Sequence, residues 1–228
     1  MIANLITLTN LWLGLYVIYY SGSVSIMYCS QCILLGTLLD CLDGPIARIT
    51  GTTSRVGRIL DHVADFITFG LGPVSIINNN YNEYYPDEFK LISGIWIVGN
   101  LYRELSPYTK NPDGDYIGCP SPFTAGIWAY GNIITAMYYP TNSELWCINS
   151  TNFLLYFMID NSVYYHDRLI ELDPLKSTKG FLNLFVILSI ISTLIIQPVQ
   201  TLSLHIPGIW THTWGCYCIG YLIFGRYI

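Results

Sequence analysis

The chain has 228 residues, 52% of them hydrophobic and 11% charged, with a formal net charge of −5 at pH 7. Soluble domains carry about 25% charged residues, so this composition excludes an ordinary soluble domain and points to a membrane protein. Lys and Arg form no basic patch, which argues against a nucleic-acid partner.

A spanning helix takes about 20 mostly apolar residues. The first candidate, 4–21, lacks a basic n-region and a small-residue cleavage site, so it is expected to stay as a helix rather than leave as a signal peptide. The second, 24–39, ends at Asp40, with Asp40 and Asp43 expected to cap it. The third, 55–77, carries Asp61 and Asp65 in its first half. The fourth, 91–102, extends to about 106, and the fifth is 122–139. The sixth, 145–163, is interrupted by Asn152, Asp160 and Asn161. The seventh and eighth are 181–197 and 209–224. The expected fold is therefore all-α, a polytopic transmembrane helix bundle of about eight spans. Residues 1–180 form its six-helix core and 181–228 an appended helix pair.

The charges orient this bundle. Cytoplasmic loops collect Lys and Arg. With the N-terminus inside, the loops 40–55, 103–121 and 164–180 and the C-terminus hold every Lys and Arg except Lys90 and Arg58, and Arg58 follows the first of these loops within one helical turn. The opposite loop, 80–90, carries Glu83, Asp87 and Glu88. Both termini and the stretch 40–65 are thus expected at the cytoplasmic face. Tyr16, Tyr19, Tyr84, Tyr85, Tyr138, Tyr139, Trp210 and Trp214 fit interfacial aromatic belts. Cys29 and Cys32 have no second pair at metal-ligand spacing, and the cysteines read as buried, inert thiols.

The chemistry concentrates in 40–65, DCLDGPIARITGTTSRVGRILDHVAD. Asp40 and Asp43 are three apart and Asp61 and Asp65 four apart, so each pair shares a helix face. Charged residues inside a membrane are costly and mark function. A helix hairpin would bring the pairs together, and four hard carboxylates suit two divalent cations, Mg²⁺, Mn²⁺ or Ca²⁺. Gly44 and Gly57 would let a bulky anion approach the backbone, and Arg48 offers a forked donor to phosphate. His62 falls one residue off the carboxylate face and reads as pointing elsewhere. His166, His205 and His212 read as interfacial.

Asp40, Asp43, Gly44, Ala47, Arg48, Gly57, Asp61 and Asp65 stand at the spacing D-x2-D-G-x2-A-R-x8-G-x3-D-x3-D. This resembles the signature of the CDP-alcohol phosphatidyltransferases. The resemblance implies an integral membrane enzyme in which an alcohol attacks the lipid-side phosphorus of a CDP-linked lipid and CMP leaves. It implies that Asp40, Asp43, Asp61 and Asp65 hold the metals and that Asp65 is also the general base. It further implies CDP-lipid contacts from Asn4, Thr7, Gly44, Arg48, Ser54 and Gly57, and a homodimer. An alcohol is a poor nucleophile at neutral pH and needs such a base.

Three stretches resemble the membrane-type phosphatidylserine synthase subgroup: IANLITLTNLWLG at the N-terminus, DHVADFITFGLGPV from Asp61, and Gly118–Pro122. His62 and Thr68 each stand where that subgroup has serine. The subgroup implies CDP-diacylglycerol and serine as substrates. Arg103, Lys176 and Lys179 are candidate partners for a serine carboxylate, with interfacial snorkelling as the plain alternative. The same chemistry on inositol, inositol phosphate, glycerol phosphate or choline is one rival. A divalent-cation transporter is another, although a cation path gains nothing from Arg48. A catalytically dead scaffold is a third, and four intact aspartates argue against it.

Overall fold

The computed structural model describes residues 2–81, 86–105, 116–139, 143–164 and 209–225. Helix α1 (Ile2–Tyr20) buries Ala3, Thr7, Asn10, Gly14 and Val17, a stripe at helical spacing. Its opposite face exposes Leu5, Leu8, Trp12, Leu15 and Tyr19. Helix α5 (Pro86–Leu105) repeats the pattern, with Asn100 and Arg103 buried and Leu91, Val98, Tyr102 and Leu105 exposed. Polar residues inside and apolar ones outside suit helices surrounded by lipid rather than water. By length and hydropathy, Ile2–Tyr20 and Arg55–Asn80 are each able to cross a membrane.

Helix α2 (Ile26–Ile49) starts at Ser25, whose side chain accepts from the Tyr28 amide. It corrects the expected end at Asp40: the helix runs on through Pro45, so Asp40 and Asp43 lie within it and do not cap it. A short turn with Gly51 in the left-handed region (φ 62°) leads to α3 (Arg55–Asp65).

A single helical path continues from α3 through a π-helical segment, Phe66–Leu71, into α4 (Gly72–Asn80). Its chemistry explains the change of register. Pro73 has no N–H to give to the Phe69 carbonyl four residues earlier. The Gly72 amide reaches back to Ile67 instead. The Phe69 carbonyl accepts from Trp96 Nε1 of α5 at 2.9 Å. The displaced turn lies immediately after Asp65, and such π turns gather at functional sites. Thr68 Oγ1 ties it to α1 by donating to the Asn10 carbonyl at 2.9 Å.

Helix α6 (Ser121–Tyr138) is buried along most of its first half and sits at the centre of the bundle. It packs on α2, where Thr37 Oγ1 donates to the Pro122 carbonyl, and on α7 (Ser143–Ile159), where Trp128 Nε1 donates to Thr151 Oγ1. Helix α7 stops at Ile159, short of the expected 163. Residues Val163–Tyr164 instead form strand β2, antiparallel to β1 (Tyr116–Ile117), a small departure from an all-α chain. Gly118 follows β1 with φ 78°, and a Cβ there would lie 2.3 Å from the Met158 carbonyl oxygen, so this turn needs glycine. Helix α8 (Ile209–Phe224) covers α6, with Tyr221 stacked on Phe123 at 3.9 Å between ring centroids. The expected span 181–197 and the residues Lys110, Lys176 and Lys179 lie outside the described residues.

Trp96→Phe keeps one aromatic ring but removes the indole N–H together with the five-membered ring that carries it. The variant is expected to lose about 1–3 kcal/mol, because the Phe69 carbonyl is left buried without its partner. A thermal unfolding midpoint in detergent equal to the unaltered protein's would contradict this account of the π turn.

Candidate active site

Continuation of α2 past Asp40 places Asp40, Asp43, Gly44, Ala47 and Arg48 on one helical stripe. Gly57, Asp61 and Asp65 form the matching stripe on α3. Ser54 caps α3 by accepting from the Gly57 amide at 2.9 Å. The spacing of the signature is therefore the spacing of two helix faces turned toward each other.

Carboxylate oxygens of Asp40, Asp61 and Asp65 lie within 4.8 Å of one another. Asp43 stands beside them and accepts from Thr7 Oγ1 at 2.6 Å. Asp65 Oδ1 is 3.5 Å from Asn10 Nδ2. Asp61 Oδ1 is buried with no hydrogen-bond partner. An orphaned buried carboxylate oxygen among three others is costly unless a cation takes it. The donor set, all hard oxygens, fits Mg²⁺, Mn²⁺ or Ca²⁺.

Two cavities meet at this cluster. The first, of about 310 Å³, is lined by Asn4, Thr7, Asp43, Gly44, Arg48, Ser54, Gly57 and Asp61, among others. All six residues expected to contact the CDP-lipid line it. A Cβ on Gly57 would sit 3.1 Å from Ser54 Oγ and 3.2 Å from Asn4 Oδ1, so a side chain there would crowd that wall. The second cavity, of about 240 Å³, takes in Asp40, Asp61, Asp65, Arg103, Glu104, Tyr116 and Ser121. Asp43, Gly44, Arg48 and Asp61 belong to both, and form the wall between them.

Arg103 is buried at the second cavity, donates from Nη1 to the Ile117 carbonyl, and sits 5.9 Å above the Tyr116 ring. Burial foremost, then the Asp40 and Asp65 carboxylates, raises the Tyr116 phenol above its ordinary pKa, so it remains a neutral hydroxyl. Lys179 lies outside the described residues. His62 does not point away, as its offset of one residue suggested. Its Nδ1 lies 2.8 Å from Glu104 Oε2, and it lines the second cavity. Glu104 Oε1 accepts from Ser121 Oγ at 2.8 Å.

Reading the sequence missed Asn10, Glu104, Tyr116 and Ser121 as site residues. Asn10 left one signal: it follows Thr7 on the buried stripe of a mostly apolar helix. Ser121 falls in the Gly118–Pro122 stretch without any sign that it reaches Asp65, and Glu104 and Tyr116 come from distant elements with no local pattern.

The CDP-alcohol phosphatidyltransferase family model matches residues 1–105, which include all four aspartates. A CDP-diacylglycerol–serine O-phosphatidyltransferase of Helicobacter pylori is 28% identical over 208 residues, 88% of this chain and 84% of its own. Transmembrane protein 269 of Mus musculus is 27% identical over 177 residues, 77% of this chain and 65% of its own. A CDP-diacylglycerol–serine O-phosphatidyltransferase of Methanocaldococcus jannaschii is 36% identical over 82 residues, 36% of this chain and 37% of its own.

Thr7→Val removes the hydroxyl that fixes Asp43. Partners of this kind, one shell out from a metal, change affinity roughly 10–100-fold. Calorimetric titration with Mn²⁺ is expected to show at least a ten-fold loss. Undiminished affinity would separate the Thr7 hydroxyl from any part in holding Asp43 for a cation.

Proposed function

We propose that this chain, which carries the CDP-alcohol phosphatidyltransferase module in residues 1–105, transfers a phosphatidyl group from CDP-diacylglycerol to the hydroxyl of L-serine and releases CMP. The observation that carries the reading is the pair of cavities meeting at the aspartate cluster. Displacement at phosphorus needs the leaving group and the attacking oxygen on opposite sides of one atom. The Asn4, Thr7, Gly44, Arg48, Ser54 and Gly57 side supports the cytidine diphosphate. The Asp65, Arg103 and Tyr116 side supports the alcohol.

Asp40, Asp43, Asp61 and Asp65 would hold the two divalent cations, Mg²⁺ or Mn²⁺, with Ca²⁺ as a third fit. When bound, they neutralise the pyrophosphate and the charge that develops on departing CMP. The remaining work belongs to the chain. Arg48, on the shared wall, holds phosphate oxygens with its forked donors. Asp65 takes the proton from the serine hydroxyl as that oxygen bonds to the lipid-side phosphorus. The bond from phosphorus to the CMP oxygen breaks, and CMP leaves with the electron pair. Asn10 orients Asp65, and Thr7 orients Asp43.

Serine as the acceptor rests on the names of two of the relatives and on the phosphatidylserine-synthase-like run from Asp61 to Pro73. It rests also on Arg103, a buried guanidinium suited to the serine carboxylate, with Lys179 as a further partner from beyond the described residues. The proposal includes a multi-pass protein of about eight spans with both termini and the site at the cytoplasmic face. Residues 1–180 form the catalytic core, 181–228 an appended helix pair, and the working unit is a homodimer.

Incubation with CDP-diacylglycerol and Mn²⁺ against serine, inositol, inositol phosphate, glycerol phosphate and choline, with CMP release measured, tests the reading. Serine is expected to give phosphatidylserine, and Asp65→Asn to lower its rate by roughly 100-fold or more, as loss of a general base does. Product from another alcohol but none from serine would overturn the acceptor. Near-normal turnover in Asp65→Asn would overturn the base.

A further inference from the structure

The second cavity contains a carboxylate that the reaction as described does not use. Glu104 follows Arg103 at the end of α5, and its side chain is only 12% exposed. Both of its oxygens are held. His62 Nδ1 of α3 lies 2.8 Å from Oε2, and Ser121 Oγ of α6 donates to Oε1 at 2.8 Å. The carboxylate is thus fixed where three helices meet, in the wall that also carries Arg103 and Asp65.

An ionised carboxylate has about four acceptor positions. Among the described residues each oxygen has one contact, which leaves acceptor positions for a ligand, and charged partners fill such positions best. Beside the four aspartates and Arg48, which the cations and the phosphates would engage, Glu104 and Arg103 therefore present one further negative and one further positive group to the same chamber. Inositol and glycerol phosphate carry no cation to match the first. Choline carries a cation without a donor hydrogen and no anion to match the second. An α-amino acid carries both charges on one carbon.

We infer that Glu104 selects the acceptor by accepting hydrogen bonds from its ammonium group while Arg103 takes the carboxylate, which makes the chamber a zwitterion site. This inference rests on the serine reading and deepens it. His62 and Ser121 are the positioning residues that keep the Glu104 carboxylate in place. The arrangement gives serine an orientation, since two charged anchors leave its hydroxymethyl arm to swing toward Asp65.

The test compares L-serine with 3-hydroxypropanoate, which lacks the ammonium group, and ethanolamine, which lacks the carboxylate. The unaltered protein is expected to prefer serine over either by roughly ten-fold or more in kcat/KM, the scale of one hydrogen bond to a charged group. Glu104→Gln, which keeps the shape, is expected to lower kcat/KM for serine by roughly 10–100-fold, chiefly through KM. It does not lower the value for 3-hydroxypropanoate, whose negative charge gains from loss of the Glu104 charge, and Glu104→Asp recovers part of the serine preference. Parallel losses for serine and 3-hydroxypropanoate would reduce Glu104 to a structural clamp and overturn the inference alone. So would an unaltered protein that uses 3-hydroxypropanoate as well as serine, a result that needs no variant to fold. No phosphatidylserine from the unaltered protein would overturn the serine reading and this inference together.

Discussion

Mutual repulsion among four carboxylates is the constraint on which the rest of the structure turns. Asp40, Asp61 and Asp65 bring oxygens within 4.8 Å of one another, and Asp43 lies beside them. Like charges at that range inside a membrane protein are unfavourable unless cations lie between them. Every nearby element acts to hold them there nonetheless. Helix α2 continues past Asp40, so that its two aspartates project from one face. Ser54 fixes the first turn of α3, and Thr7 and Asn10 of α1 reach Asp43 and Asp65. A fold that concentrates negative charge at this cost is built around what that charge binds.

The π turn after Asp65 serves the same end. Pro73 forbids an ordinary hydrogen bond to Phe69, and Trp96 supplies the missing donor from α5. The register slip lets α3 and α4 run as one rod while Thr68 anchors the rod to α1. Helix α5 is thereby tied to the same rod that carries Asp61 and Asp65, and it brings Arg103 and Glu104 to the second cavity. The first cavity is built within the first 65 residues, and the second draws also on α5, β1 and α6.

That division explains what could be read from the sequence. The first cavity is local: residues at i, i+3, i+4, i+7 and i+8 on α2, and at i, i+4 and i+8 on α3, carry most of the signature around it, and helical periodicity makes such stripes legible. The apolar runs likewise located most helices. The end of the second helix is not legible because the apolar run stops at Asp40, and such a run marks the hydrocarbon layer rather than the helix that continues beyond it. The π turn was hidden because it depends on Pro73 and Trp96 together, which only the folded bundle joins. His62 was set aside by its offset of one residue, a rule that covers its own helix but not a partner on another. Ser121 falls in the Gly118–Pro122 stretch, but nothing local ties it to Asp65, and Glu104 and Tyr116 carry no local pattern at all, since folding alone makes them neighbours of Asp65.

The central claim is that the aspartate cluster is a divalent-cation centre with a cytidine diphosphate lipid on one side and an alcohol on the other. The most direct measurement is an experimental structure with CDP-diacylglycerol and Mn²⁺, with Mn located by anomalous scattering. The account predicts Mn between Asp40, Asp43, Asp61 and Asp65, the nucleotide in the cavity lined by Asn4, Arg48 and Gly57, and the Arg103–Glu104 chamber free for the acceptor. Mn bound elsewhere, or the nucleotide in the Arg103–Glu104 chamber, would contradict it.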